Sequence, residues 1–368
     1  METNARQALH THPGRKMERM KREIILFIAV VTGIISCSKE PVDVVYADLG
    51  ERRGVFISCE GNFMYGNASL SFYDKERKEV FNQVFFARNR APLGDVAQSL
   101  QSDGKNLFIV VNNSGKIMVV DVKTLEFRGV ISGLVSPRYI HFISSDKAYI
   151  SDLYARNITI FNPLTLAKTG SISVSDGKHA SLKHSTEMFA EIGGRIFVTC
   201  WAYDNQILVI DPAIDQVVDS ITVPVQPRRI AADTYGKLWV LTDGSYPGAP
   251  GGDEQPSLVR IDPVTLTIEQ IMRWNKGKEF PGDLKLNPAK DTLFILAGDL
   301  YKMAATSRRL PESPFIESSE HLFFSMGVDP SNGDFYLADA IDYQQNAIVY
   351  RFSRDGEPLD SFRVGINP

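Results

Sequence analysis

A short turn motif recurs along this chain and constrains its fold more than any other feature. An apolar run that ends in Asp or Asn occurs at residues 117–125, 158–166, 207–213 and 258–266, and in three of these copies Pro comes next. The Asp or Asn side chain can cap its own backbone, and Pro fixes φ at the following position, so each copy predicts a tight turn after a strand. The chain therefore contains repeated units.

Each unit reads as four short strands. The clearest copy spans residues 187–223, with strands predicted over 189–191, 195–201, 206–210 and 217–223. One such sheet cannot bury both of its faces alone, and this period with four strands per unit is typical of a β-propeller. We predict an all-β fold, a seven-bladed β-propeller of four-stranded blades, with units at residues 54–87, 93–131, 137–174, 186–223, 227–272, 281–317 and 321–365.

The first unit is irregular because it begins at its second strand, over residues 55–60. Residues 365–368 resemble the start of a first strand, and rings usually close by pairing the two termini in one blade. We therefore expect the natural C-terminus to run several residues further. The alternative is that residues 42–49 supply the innermost strand of this blade.

The N-terminus resembles a bacterial lipoprotein leader. Residues 24–35 are apolar and too few to span a bilayer, which favours a signal peptide. The run ends at Ser36-Cys37, which resembles a lipobox, and basic residues precede it: Lys16, Arg19, Lys21 and Arg22. We expect a signal peptide over 1–36 with Met17 and Met20 as candidate natural starts, a lipidated Cys37 with its tether over 37–46, and the propeller over 47–368. A plain secretory signal is the alternative.

The net charge argues against one class of function, and the cysteine positions argue against a disulfide in the propeller. The formal net charge of −4 argues against binding of nucleic acid, which carries a dense negative charge. Besides Cys37 the chain has only Cys59 and Cys200, which fall on second strands of units about half a ring apart. A disulfide needs Cα atoms within roughly 7 Å, so we predict that both are unpaired, buried strand residues.

Propeller topology predicts one chemically rich surface. The loops after second strands and the connections into first strands share one face, here called the loop face; the other turns share the turn face. Aromatic side chains at loop tips offer rigid contact area with a polar handle, which is typical of binding surfaces. The candidate ligand-binding residues are Tyr65, Asn112, Arg138, Tyr154, Arg156, Trp201, Tyr203, Arg228, Tyr246, Tyr301, Tyr343 and Gln344. The alternative is that these aromatics cap the blade cores.

The sequence contains no recognisable catalytic or metal-binding motif. There is no Gly-x-Ser-x-Gly, His-Glu-x-x-His or Cys-x-x-Cys pattern. Glu187 and Asp283 occupy positions where lactone-hydrolysing propellers place metal ligands, but other units supply no matching acids. We interpret them as rim carboxylates, interpret His184 and His321 as hydrogen-bonded rim residues, and expect neither a catalytic residue nor a metal site.

The Asp-Pro-x-Thr-Leu turns resemble those of YncE-like seven-bladed propellers. Together with the lipobox and the closing residues 362–368, they are similar to the DUF5074 surface lipoproteins of Bacteroidetes, and within these to the cobalamin-binding BtuG group. The resemblance implies a lipid-anchored, cell-surface protein of the outer membrane that binds a corrinoid, such as cobalamin (vitamin B12), and delivers it to a TonB-dependent transporter of BtuB type. It implies no other cofactor and no enzymatic activity.

Two other functions remain open from the residues alone. The first is a cell-surface propeller that binds glycan or protein as a scaffold or adhesin. The second is a lactonase-like or lyase-like enzyme. The loop face would serve any of the three functions, because the propeller fold itself does not determine the ligand.

Overall fold

The computed structural model describes residues 49–368 except 51, 175–183, 247, 249–251 and 275–280. In these residues, strands β1 to β26 form seven antiparallel sheets, each made of consecutive strands. This confirms the seven-bladed, all-β prediction. The predicted signal peptide, the lipidated Cys37 and the tether lie outside the described residues.

Five blades have the four strands predicted from sequence. Their sheets are, in chain order, β4–β7 (Ala97–Ser102, Asn106–Val111, Lys116–Asp121, Phe127–Ile131), β8–β11 (Pro137–Phe142, Ala148–Asp152, Asn157–Phe161, Lys168–Ser173), β12–β15 (Ser185–Ile192, Arg195–Trp201, Gln206–Asp211, Gln216–Thr222), β16–β19 (Pro227–Ala232, Leu238–Thr242, Ser257–Asp262, Thr267–Arg273) and β23–β26 (Phe323–Val328, Phe335–Asp339, Ile348–Phe352, Pro358–Arg363). They form blades two, three, four, five and seven.

Blades one and six have three strands each within the described residues. Blade one contains β1–β3 (Gly54–Cys59, Ser69–Asp74, Glu79–Phe81), and blade six contains β20–β22 (Asp283–Leu286, Thr292–Ala297, Asp299–Ala304). In blade six only a bridge between Leu300 and Ile316 stands in place of a fourth strand. Pro311 and Pro314 precede that bridge, and proline cannot donate to a strand ladder.

A short helix, α1 (Val84–Asn89), follows β3 where the first predicted unit ends. Its Val84, Phe85 and Ala87 are buried, and Val84 and Phe85 join the core between blades one and two. The repeat pattern does not predict this helix, because it belongs to the connection between blades and has no counterpart among the connections that the structure describes.

Hydrophobic cores lie between the blades and form a closed circuit. The described residues form seven buried clusters, each shared by two neighbouring sheets; for example, Phe108 of β5 packs with Ile150 of β9. The first strands β4, β8, β12, β16, β20 and β23 are neighbours around the centre. No blade buries its apolar side chains without both neighbours, so the ring is the folding unit.

The predicted turn chemistry is confirmed on the turn face. Asp121 Oδ1 accepts hydrogen bonds from the backbone N–H groups of Lys123 and Thr124, both at 2.9 Å, and Asn162 and Asp262 repeat the arrangement. Leu125 then adopts a left-handed φ of 57°, as do Leu166 and Leu266 at 60° and 58°. The Asp or Asn cap compensates part of the cost of this conformation.

The ring closes between blades seven and one. The rings of Tyr73 and Phe362 stack with centroids 4.0 Å apart, and the Tyr73 hydroxyl donates to Asp360 at 2.7 Å. The backbone N–H groups of Glu60 and Gly61 donate to residues 367 and 366, at 2.8 and 3.0 Å. Within the described residues β1 has a ladder partner on one edge only, and its residues 55–58 line a groove with residues 325–330.

Both propeller cysteines are free and buried, as predicted. Cys59 ends β1 and Cys200 lies in β13, in different blades. Among the described residues, no helix has the length and apolar character needed to cross a bilayer. The alternative innermost strand over residues 42–49 falls almost wholly outside the described range; Leu49 itself is buried in the core between blades one and two.

Tyr73 tests the closure of the ring. Tyr73→Ala removes the stacked ring and should lower the free energy of unfolding by about 3–5 kcal/mol, whereas Tyr73→Phe loses only the hydrogen bond, about 1 kcal/mol. Tyr235→Ala is the control, because that ring is 52% exposed. Denaturant unfolding of the three variants measures the difference. Equal midpoints for Tyr73→Ala and Tyr235→Ala would show that this contact does not hold the ring closed.

Candidate ligand-binding face

The loop face is built by the connections that follow the second strands. Their described residues are 60–68, 112–115, 153–156, 202–205, 243–246, 248, 252–256, 298 and 340–347. Hydrogen bonds connect loops of neighbouring blades: the Asn62 amide donates to the carbonyl of Tyr343 at 3.0 Å, and the Met64 N–H donates to Asp95 at 2.9 Å. The loops of blades seven and one and the connection into blade two are therefore joined to one another on this face.

Large apolar and aromatic side chains are exposed on this surface. Five of them were predicted as ligand-binding residues, and their exposed fractions lie between 44% and 78%. The five are Tyr65, Tyr154, Tyr203, Tyr246 and Tyr343, with Phe63 and Met64 beside them. On the turn face the exposed tips include Leu164, Ile214, Tyr235 and Val264, and only one of these is aromatic. Phe127, which follows the turn between the third and fourth strands of blade two, is also exposed, so both faces carry exposed aromatic side chains and the described residues place more of them on the loop face.

Several loop tips have strained backbone. Met64, Ala202, Tyr203 and Tyr343 have φ angles of 68°, 59°, 68° and 60°. Non-glycine residues in this region cost of order 1–3 kcal/mol each and persist where the surrounding structure holds them. The surrounding structure therefore holds the loops that carry Tyr203 and Tyr343, and the Tyr343 ring packs edge-on against Phe324 with ring centroids 5.6 Å apart.

Three predicted site residues do not extend freely from the face. Tyr301 lies within β22 and packs against the core between blades five and six, so its predicted place at a loop tip was wrong; the preceding loop is only a tight turn at Gly298. Asn112 donates its side-chain amide to Ser136 Oγ at 2.9 Å and to the Pro137 carbonyl at 3.0 Å, which fixes the connection into β8. Arg138 is buried beneath the face. Arg156 and Gln344 are exposed, as predicted.

A chain of buried ion pairs forms the floor of the face. Arg138 of β8 makes a two-pronged contact with Glu187 of β12, through Nε at 2.6 Å and Nη2 at 2.8 Å. Arg229 of β16 donates from Nε to Asp283 of β20 at 2.9 Å and lies 3.8 Å from Glu187. Tyr139 accepts from Arg229 at 3.2 Å. These ion pairs therefore link four adjacent first strands at the centre of the ring.

The pKa shifts of Arg138, Arg229 and Asp283 favour their charged forms. Burial opposes the charged form of Arg138 and Arg229, but the neighbouring acidic groups outweigh it and raise the pKa of both guanidinium groups. Burial alone would raise the pKa of Asp283, yet Lys285 and Arg229 hold it below its usual value. Glu187 and Asp283 are thus salt-bridged carboxylates, and the interpretation of them as solvated rim groups was wrong.

Trp201 lies between two arginines at the edge of this floor. The guanidinium carbons of Arg138 and Arg228 lie 5.6 and 5.4 Å from its ring centroid, and its indole N–H donates to Asp243 at 2.8 Å. Arg228 Nε is buried without a hydrogen-bond partner among the described residues. An unsatisfied buried donor is costly, and the Arg228 side chain as a whole is partly exposed, so its guanidinium group is a candidate contact for a polar or anionic group of a ligand.

Two carboxylates near the arginines were missed by the sequence analysis. Burial raises the pKa of Glu60 although Arg138, Arg228 and Arg229 oppose it, and burial likewise raises the pKa of Asp243 against Arg228 and the Trp201 hydrogen bond. Both lie immediately after a second strand, where the repeat pattern marks a loop without showing which side chains turn toward the centre.

Glu60 gives a pH-dependent prediction. Because its pKa is raised in the folded state, its carboxyl favours folding below the ordinary pKa of 4.5, and that contribution is lost as pH rises through the folded value. Glu60→Gln should therefore be more stable than the parent at pH 7, with the difference vanishing below about pH 4. Melting temperatures across pH measure this, with the exposed Glu76→Gln as control. A Glu60→Gln protein less stable at pH 7 would contradict the assigned shift.

The sheets, their common centre and the loop surface define a seven-bladed β-propeller with a candidate ligand-binding face. The chain belongs to the DUF5074 family, described as a domain of unknown function, whose family model matches residues 53–365. This confirms the family resemblance drawn from the turn motifs, whereas the corrinoid ligand stays a prediction. No curated protein matches the chain.

Solved structures share the architecture at low sequence identity. One is a quinonprotein alcohol dehydrogenase-like protein from Bacteroides thetaiotaomicron, with a TM-score of 0.62 and 13% identity over 85% of this chain and 76% of that one. Another is the hydrazine synthase of Kuenenia stuttgartiensis, with a TM-score of 0.52 and 16% identity over 69% of this chain and 74% of that one. At these identities the likeness shows the fold alone.

Proposed function

We propose that the protein is a non-enzymatic binding lipoprotein that holds a broad, flat small molecule on its loop face. The observation that carries this proposal is the set of exposed tyrosines on fixed loops around the arginine-bearing centre. Rigid aromatic side chains lose little conformational entropy on binding, and strained loops keep them in place before the ligand arrives. A disc-shaped ligand could contact several of these rings at once.

The ligand that fits this arrangement best is a corrinoid. A corrin ring presents an apolar plane edged with amides, and the family resemblance points to the same molecule. Tyr154, Tyr203 and Tyr343 would contact the plane, Gln344 would pair with a side amide, and the partly exposed guanidinium group of Arg228 would donate to an acceptor group. Asn112 is removed from this set, since its amide already bonds to Ser136 and Pro137.

The carboxylates at the centre support binding over catalysis. Glu187 and Asp283 are engaged by Arg138 and Arg229, and His321 is bonded to Asp339 at 3.0 Å. A general acid or base needs access to the proton that it transfers, and groups held in buried ion pairs are poorly placed for this. The structure of these groups favours a rigid platform.

The proposal includes attachment and delivery. Lipidation at Cys37 would hold the protein on the outer membrane with the propeller at the cell surface, and a TonB-dependent transporter of BtuB type would receive the corrinoid. Both statements rest on the sequence resemblance to surface lipoproteins, because Cys37 lies outside the described residues.

Titration of the full chain with cyanocobalamin, followed by calorimetry, tests the proposal. If each ring gives about 1.4 kcal/mol, the double variant Tyr154→Ala/Tyr203→Ala should bind about 100-fold more weakly. Its melting temperature should stay near that of the parent, because both rings are exposed. Tyr235→Ala, on the turn face, should bind as the parent does.

Three outcomes would overturn this function. If the parent protein shows no detectable binding of cyanocobalamin, the corrinoid proposal is rejected. Retention of the same protein on a polysaccharide column would then favour glycan binding, for which exposed tyrosines are also suited. Unchanged affinity in the double variant, or equal loss in Tyr235→Ala, would remove the loop face as the binding surface.

A further inference from the structure

Blade four differs from two other blades at the end of its second strand. In blades three and seven this position holds Asp152 or Asp339, whose carboxylate accepts a backbone N–H from the connection into the first strand, at 2.9 Å from Ser136 and 3.1 Å from Leu322. In blade four the strand register places Cys200 at the matching position, opposite Thr186. A thiol is a poor substitute for that carboxylate as an acceptor.

Cys200 instead belongs to a compact cluster of three metal-ligand types. The donor atoms of His184, Cys200 and Asp204 all lie within 4.8 Å of one another. His184 Nδ1 lies 2.7 Å from Asp204 Oδ2, His184 is 8% exposed, and Cys200 is fully buried. The three side chains come from the connection into β12, from β13 and from the loop after β13.

The backbone brings Asp204 to this cluster by an unusual path. Ala202 and Tyr203 are consecutive residues with left-handed φ angles of 59° and 68°. The Asp204 carbonyl then accepts from Gln226 N–H at 2.7 Å, and its Oδ1 accepts from Asn205 N–H at 2.7 Å. Oδ1 is thus held by the backbone while Oδ2 is directed at His184. Such outer contacts orient a ligand before a metal binds.

We propose that His184, Cys200 and Asp204 form a binding site for a divalent transition metal of the Zn²⁺ type. Imidazole nitrogen, thiolate sulfur and carboxylate oxygen are the three donors that zinc accepts, at about 2.0–2.3 Å. Around a tetrahedral ion, such donors lie roughly 3.3–3.8 Å apart. Binding requires the His184 Nδ1 and Asp204 Oδ2 atoms, now 2.7 Å apart, to separate by roughly 0.6 Å or more to admit the ion. A fourth position remains for water or another ligand.

The chain contains matched comparisons for each part of this site. Cys59 is the other buried cysteine, also at the end of a second strand. His321 and Asp339 form a His–Asp pair in blade seven, at 3.0 Å, with Asp339 at the position that Cys200 takes in blade four. If a His–Asp pair alone sufficed, both blades would bind metal; the thiolate makes blade four different.

Cobalt titration of the chelator-treated full chain tests the proposal. Co²⁺ bound to a thiolate gives a sulfur-to-metal charge-transfer absorption, which Zn²⁺ should abolish by displacement. The parent, Cys59→Ser and Asp339→Asn should show this absorption, and Cys200→Ser should lose it. His184→Gln and Asp204→Asn should bind Co²⁺ at least about tenfold more weakly, since even outer contacts of metal sites cost that much.

Folding is checked by the melting temperature of each metal-free variant. Because Cys200 is buried, its Ser variant could be destabilised, so Asp204→Asn, at a partly exposed loop residue, gives an independent reading. The proposal is overturned if the parent shows no charge-transfer absorption, if Cys200→Ser retains it, or if folded Asp204→Asn binds Co²⁺ as tightly as the parent. These readouts are independent of whether cyanocobalamin binds.

Discussion

The buried ion pairs at the centre of the ring are the interaction on which the loop face depends. Arg138, Glu187, Arg229 and Asp283 come one from each of four adjacent first strands and are bonded in sequence. Removing one partner from such a chain leaves an uncompensated buried charge, which typically costs 3–5 kcal/mol. The ion pairs therefore fix how the blades meet at the centre, and with it the positions of the loops above.

The blade arrangement could be predicted because local chemistry repeats. Each Asp- or Asn-headed turn stabilises a strand connection with its own side chain, and the alternation of apolar runs marks the second and third strands. The exceptions are positions where one blade departs from the pattern. Helix α1 takes the place of a regular connection after β3. In blade six, Pro311 and Pro314 prevent a full fourth strand. Neither has a counterpart that a repeat could reveal.

The candidate site was predictable only in part. Topology sorts loops onto faces, and Tyr65, Tyr154, Tyr203, Tyr246 and Tyr343 are exposed residues of the loops that follow second strands; their role in binding stays a prediction. Topology does not show the length of each loop, so Tyr301 was wrongly assigned to a loop. It also does not show the direction of a side chain, so the hydrogen bond from Asn112 to Ser136 was missed. Glu187 pairs with an arginine 49 residues away, and the cluster of His184, Cys200 and Asp204 also arises only from folding.

Hydrogen–deuterium exchange of the full chain with and without cyanocobalamin tests the central claim, that one end of the ring is the binding surface. The account predicts slower amide exchange in residues 60–68, 153–156, 202–205 and 340–347, with the turns at residues 121–126, 162–167 and 233–236 unchanged. Slowed exchange in those turns, or none in the loops, would contradict it.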